Sequence, residues 1–114
     1  MTTLAPYAAE TLSRAEVDAL PGPTVLEFGT NWCGICQAAT PAIAQALAAH
    51  AAHAAGAPLR HLRVEDGPGR PLGRSFGIKL WPTLVLLQDG REVARVVRPQ
   101  QAAAIGDALA SLAP

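Results

Sequence analysis

The stretch Thr30-Asn31-Trp32-Cys33-Gly34-Ile35-Cys36-Gln37 holds the only two cysteines of the chain, two residues apart and preceded by a tryptophan. Thiols at that spacing have three readings: a pair that cycles between dithiol and disulfide, half of a tetrahedral metal site, or two small core residues. The metal reading asks for four ligands, and His50 and His53 are the only paired histidines available to complete it. On a continuous helix His50 lies ~25 Å from Cys33 along the axis, whereas metal–ligand bonds are near ~2 Å. No metal site within one chain is therefore expected. One further residue of reactive type lies close by in sequence: Glu27 interrupts an apolar run six residues before Cys33.

These residues need elements to position them. Ser13 with Glu16 three residues later has the spacing of a capping box, so a short helix is expected from there to about Pro21-Gly22-Pro23. "TVLEFG" (24–29) reads as a buried strand, and an Ala-rich helix follows from Cys33 to about His53, kinked at Pro41. "PLRHLRVE" (58–65) reads as a second strand, closed by Asp66-Gly67-Pro68-Gly69, with a short helix over about 71–76. "TLVLLQ" (83–88) and "REVARVV" (91–97) flank Asp89-Gly90, a dipeptide suited to the positive φ of a two-residue hairpin turn. Ile105, Leu109 and Leu112 recur at helical spacing and predict an amphipathic helix that covers one sheet face. Alternating helices and strands point to an α/β layered architecture.

At 114 residues, a single domain spanning 1–114 suffices. Nine Lys and Arg balance nine Asp and Glu, leaving no cationic excess to drive binding to nucleic acid or anionic lipid. The first residues show no basic stretch followed by an apolar run, and no window approaches the ~20 apolar residues of a membrane span. A cytoplasmic, soluble monomer that requires no cofactor is expected. In a reducing compartment a close cysteine pair is more often catalytic or metal-binding than structural.

Taken together, "VLEFGTNWCGIC", the proline five residues after Cys36, "LWPTLVLLQDGREV" and the closing helix resemble the thioredoxin family. The likeness runs from about residue 13 to 112. It implies a thioredoxin-like fold, a central mixed β-sheet flanked by helices, with the cysteines at a helix N-terminus. It also implies a thiol–disulfide oxidoreductase, in which Cys33 is the attacking nucleophile and Cys36 the resolving thiol. A free thiol has a pKa near ~8.5, and bringing it to ~7 takes about 2 kcal/mol of preference for the anion. The helix dipole gives only about 0.3–1 kcal/mol, so first-turn backbone N–H groups must supply more. Glu27 stands where the family has a buried aspartate, and burial is expected to raise its pKa toward that of a working proton acceptor for Cys36. Pro82 matches a cis-proline opposite the cysteines, which would free the backbone of Trp81 to pair with an extended substrate. Trp32, Gly34, Ile35, Trp81, Pro82 and Thr83 are the expected substrate-binding residues. The implied partners are proteins carrying disulfides or dithiols, and a reductase or thiol electron donor.

The chain departs from the family pattern at several places. Ile35 replaces the proline usual between the cysteines, which predicts a somewhat less reducing couple, about 30 mV corresponding to about 1.4 kcal/mol. Gln37 stands where lysine is common, and Arg98 where a glycine-containing loop usually borders the substrate groove; Arg98 is either an obstacle there or an indifferent solvated residue. His61 aligns with a lysine beside the buried acid but is read as an ordinary surface or core histidine. Trp81 is bulkier than the aliphatic residue usual at its place, and core packing is its alternative role. A specialised binding or assembly module with slow or dispensable redox chemistry remains the competing function.

Overall fold

The computed structural model describes residues 4–53 and 58–113. Met1–Thr3, part of the stretch read for a leader, and the last residue of the 1–114 span lie outside them. Among the described residues, four helices and four strands follow one another in the order α1 (Arg14–Asp18), β1 (Pro23–Gly29), α2 (Gly34–His53), β2 (Arg60–Glu65), α3 (Pro71–Ser75), β3 (Thr83–Gln88), β4 (Arg91–Val97) and α4 (Ala102–Leu109).

The strands form one mixed sheet in the order β2-β1-β3-β4, with β1 parallel to β2 and antiparallel to β3, and β3 antiparallel to β4. β1 is therefore paired on both edges, and every residue from Pro23 to Gly29 is buried. This double burial accounts for its nearly unbroken apolar sequence. Alternation sends Val25 to one sheet face, where it packs with Leu84 and Leu86 against Ile43 and Ala46 of α2 and Ile105 and Leu109 of α4. Leu26 and Phe28 go to the other face with Val85 and Leu87, against Val17 of α1 and Leu72 and Phe76 at α3. Each such fully buried side chain contributes about 1.5–3 kcal/mol. Glu27 shares the α2 face with Val25.

Most elements follow the sequence reading, with shifts that have local causes. Ser13 caps α1 as a complete capping box with Glu16, but the helix stops at Asp18, before Pro21. β1 starts at Pro23 because that residue sits opposite Gln88, and β2 starts at Arg60, opposite Thr24, so Pro58 and Leu59 precede the ladder. α2 passes through Pro41 unbroken. α3 ends at Ser75, with Phe76 as its C-cap. The hairpin forms as expected, with φ of 52° at Asp89 and 81° at Gly90. Gly90 is also confined: an added Cβ would lie 1.8 Å from the Asp18 carbonyl oxygen. Register slips between Leu86 and Leu87, where Leu86 faces Ala94 and Leu87 faces Glu92.

One feature has no counterpart in the sequence reading. Ahead of α1, Ala8 makes a parallel bridge to Val64 on the outer edge of β2, its N–H donating to the Arg63 carbonyl at 3.2 Å and its carbonyl accepting from Glu65 N–H at 2.8 Å. This short strap brings Tyr7 over the end of β1.

Candidate active site

The two cysteines sit where β1 hands over to α2. Both are free thiols, with Cys36 fully buried and Cys33 nearly so. Cys33 precedes the first residue of α2, so its sulfur faces backbone donors that the helix leaves without internal partners. The Cys36 N–H donates to Cys33 Sγ at 3.1 Å, the type of first-turn contact that the sequence called for. Cys36 lies one turn further on, behind Cys33. Burial, followed by its hydrogen bond to Cys33 and the charge on that sulfur, pushes the Cys36 thiol up to about 11; the Thr30 backbone and the Tyr7 hydroxyl act in the opposite direction.

An apolar rim surrounds Cys33. Trp32 is 75% exposed and Ile35 46%, and the Trp32 ring meets Trp81 edge-on with centroids 5.7 Å apart. Trp81 is neither a free surface residue nor a core one: its indole N–H donates to Asp66 Oδ2 at 2.8 Å. The Trp81–Pro82 peptide is cis, Pro82 is buried, and the buried Thr83 hydroxyl donates to the Leu80 carbonyl at 2.6 Å. At Gly34 a side chain would meet nothing within 4 Å, which leaves the approach to Cys33 open on that side.

The Trp81 backbone differs from expectation. Its carbonyl accepts a hydrogen bond from Arg98 Nε at 2.8 Å, while the Arg98 N–H donates to the Pro82 carbonyl at 2.8 Å. Arg98 holds a positive φ of 49° to do this, a conformation uncommon for residues other than glycine. Arg98 is thus not a free solvated side chain; it occupies the Trp81 carbonyl.

Behind the cysteines lies a buried polar network on the α2 face. Glu27 is fully buried and faces Arg63, its register partner on β2. Arg63 reaches Glu27 Oε2 through Nε at 3.0 Å and Nη2 at 2.8 Å, and His61 Nε2 lies 2.8 Å from Oε1. The Tyr7 hydroxyl donates to Oε2. Burial raises the Glu27 pKa, but the hydrogen bonds from His61, Arg63 and Tyr7 outweigh it and hold the carboxyl below its ordinary value. The expectation of a raised Glu27 is therefore overturned: the sequence reading weighed burial without the donors. His61, read as ordinary, belongs to this network. Burial and the neighbouring Glu27 charge drive the Tyr7 hydroxyl far above its ordinary range.

Arg63 and Tyr7 were missed. The signal for Arg63 was its place two residues after His61, on the same side of β2. Tyr7 is the only tyrosine in the chain, but no local pattern connects it with residues twenty positions away. Its place is fixed by Asn31, whose Oδ1 accepts from Tyr7 N–H at 2.8 Å and whose Nδ2 donates to the Tyr7 carbonyl at 3.0 Å. The Arg63 guanidinium stacks 4.1 Å from the Tyr7 ring centroid. Gly29 makes room for both partners: an added Cβ would stand 2.7 Å from Tyr7 Cζ and 2.8 Å from Cys36 Sγ.

A mixed α/β sheet with a C-x-x-C dithiol at a helix N-terminus, packed by the tryptophan that precedes a cis-proline, defines a protein thiol–disulfide oxidoreductase. Comparison with known proteins agrees. The thioredoxin family model matches residues 8–111, and the chain belongs to the thioredoxin family. It is 37% identical over 76 residues to a thioredoxin of Chlamydia muridarum, covering 67% of this chain and 69% of the relative. It is 39% identical over 67 residues to protein disulfide-isomerase A2 of Pongo abelii, covering 58% of this chain but 12% of that much longer protein. Among solved structures, reduced thioredoxin 2 of Pseudomonas aeruginosa superposes with a TM-score of 0.81 at 53% identity, covering 96% of this chain and 95% of that one.

Proposed function

We propose that this protein works as a reductant of protein disulfides, with Cys33 as nucleophile and Cys36 as resolving thiol. The observation that carries the reading is the pairing of a Cys33 sulfur hydrogen-bonded by a first-turn N–H with a fully buried Cys36 one turn behind it. The Cys33 thiolate attacks one sulfur of the target disulfide, forming a mixed disulfide and expelling the other sulfur as a thiolate. Cys36 then loses its proton and attacks Cys33 Sγ. The intramolecular disulfide forms, the target leaves reduced, and the two electrons it gained are those the dithiol lost. Both electrons come from the chain's own sulfurs, so this exchange itself requires no cofactor, and a reductase or thiol donor returns the disulfide to the dithiol.

Trp32, Gly34, Ile35, Trp81, Pro82 and Thr83 form the substrate-binding rim, and Glu27 serves as the terminal proton acceptor for Cys36. A target strand pairing at Trp81 must first displace Arg98 from the carbonyl, which selects partners able to make that exchange. The family suggests protein disulfide substrates and a reductase partner. We place the chain in the cytoplasm as a monomer acting as one domain. Among the described residues no helix is long and apolar enough to cross a membrane.

Reduction of a disulfide-bonded test protein by the pre-reduced chain checks this reading. Stoichiometric reduction that Cys33→Ser abolishes and Cys36→Ser arrests as a mixed disulfide is expected. Tight binding of a partner without disulfide reduction, unchanged by Cys33→Ser, would replace it with the binding-module reading.

A further inference from the structure

Among the described residues, the hydrogen bonds of Glu27 go to Tyr7, His61 and Arg63, and none goes to Cys36. The acid expected to deprotonate the resolving thiol therefore does not touch it. A phenol lies beside both groups. Tyr7 packs with Cys33 and Cys36 in a buried cluster of their own, its hydroxyl is bonded to Glu27 Oε2, and its ring faces Cys36 Sγ across the space left by Gly29. The ring is held by its bidentate backbone clamp from Asn31 and by the Arg63 guanidinium. A structural tyrosine needs only one partner for its hydroxyl, and a bulky ring against the sulfur is not required to provide it.

We propose that Tyr7 is a proton-relay residue, carrying the proton of Cys36 to Glu27 during release of the target. This rests on the assignment of Cys36 as resolving thiol. In the step, the Cys36 S–H proton passes to Tyr7 Oη as the phenol's own proton passes to Glu27 Oε2. Tyr7 stays neutral throughout and Glu27 ends protonated. The Cys36 thiolate attacks Cys33 Sγ; the Cys33–Cys36 bond forms and the bond from Cys33 to the target breaks, releasing the target as a thiolate. Glu27 Oε1 is bonded to His61, the most solvent-exposed of the carboxyl's partners. The concerted transfer avoids a Tyr7 anion; moving the proton from a thiol raised by burial to a carboxylate held low by its donors is uphill at rest, and it is drawn forward because the thiolate is consumed as it attacks Cys33 Sγ.

The test separates the two chemical steps in the full chain, using a small aromatic disulfide as probe. In a Cys36→Ser background, Tyr7→Phe should leave formation of the mixed disulfide within about twofold, since the ring, its clamp and its stacking are retained. With Cys36 present, Tyr7→Phe should slow release of the bound thiol by at least about tenfold, the lower part of the range for general acid–base catalysis. It should also move the pH midpoint of release upward. The ionisable groups around the phenol are Glu27 of β1, His61 and Arg63 of β2, Cys33 just ahead of α2 and Cys36 in its first turn. Glu27→Gln should produce the same loss, and the double variant should be no slower than the slower single one, because the two act in series. Release within twofold of wild type, or losses that multiply, would overturn the relay. Should Tyr7→Phe fold poorly, the wild-type chain in mixed light and heavy water decides: rates curving with deuterium fraction show two protons in flight, and a straight line refutes them. If wild type forms no mixed disulfide at all, the reading of the cysteines fails, and the relay with it.

Discussion

Replacing Arg63 by methionine tests whether the buried network is governed by compensation of the Glu27 charge. Methionine keeps a long apolar stem but removes two hydrogen bonds of 2.8 and 3.0 Å to Oε2. Glu27 then remains with His61 and Tyr7, and removing one partner of a buried pair costs about 3–5 kcal/mol. That is a large fraction of the 5–15 kcal/mol expected of a domain this size. The pH dependence separates this cost from lost packing. In the native chain the Glu27 pKa is lowered, so its contribution is complete above the ordinary carboxyl value of about 4.3 and is lost as pH falls through the folded value. Without Arg63, burial dominates and the folded pKa rises above that of the unfolded chain. The sign then reverses: stability is complete below about 4.3 and is lost as pH rises through the new folded value. Urea unfolding of the reduced protein at pH 4 to 7 should show the gap between wild type and Arg63→Met widening with pH. Adding Glu27→Gln should restore much of the loss at pH 7. A gap below about 1 kcal/mol at pH 7, or one of equal size at pH 4 and 7, would refute the argument.

Three further outcomes follow from the site. Arg98→Ala frees the Trp81 carbonyl and should lower KM for an extended peptide disulfide severalfold, with kcat little changed; an unchanged or higher KM in steady-state reduction assays would show that Arg98 does not obstruct the groove. Gly29→Ala forces a methyl group against Tyr7 and Cys36 and should cost about 1–3 kcal/mol in urea unfolding, as overpacking does, whereas a loss below about 0.5 kcal/mol would mean that the ring moves freely. Ile35→Pro should lower the reduction potential of the cysteine couple by about 30 mV or more, equivalent to about 1.4 kcal/mol, as measured in dithiothreitol buffers through tryptophan fluorescence; a potential unchanged within about 10 mV would show that this position does not set the couple.

What could be read from the sequence was local. The capping box, the Asp89-Gly90 turn and the strand–helix junction that carries the cysteines each depend on residues within a few positions of one another. Trp32, Cys33 and Cys36 were legible for the same reason. The surroundings of Glu27 were not, because each donor arrives from a distant segment: His61 and Arg63 from a parallel neighbour more than thirty residues away, and Tyr7 from a strap twenty residues upstream. Parallel pairing leaves no turn to announce its register, so no sequence pattern indicated that Glu27 would face Arg63. The pKa direction was misread for this reason, since burial can be inferred from an apolar strand while compensation depends on register. Arg98 likewise appeared as an isolated departure until the fold placed it against the Trp81 carbonyl.

The strap has a consequence for proteolysis and self-association. Ala8 occupies backbone groups on the rim of β2 that would otherwise stand open, and an open strand edge invites pairing with another chain. The same few residues carry Tyr7 to the sulfur. A protease cut just after Ala9 would strip away both at once, leaving a molecule with the C-x-x-C motif intact but with a bare strand to recruit neighbours. Loss of solubility and loss of turnover would then progress together along a limited-digestion time course, two phenotypes from one severed peptide bond.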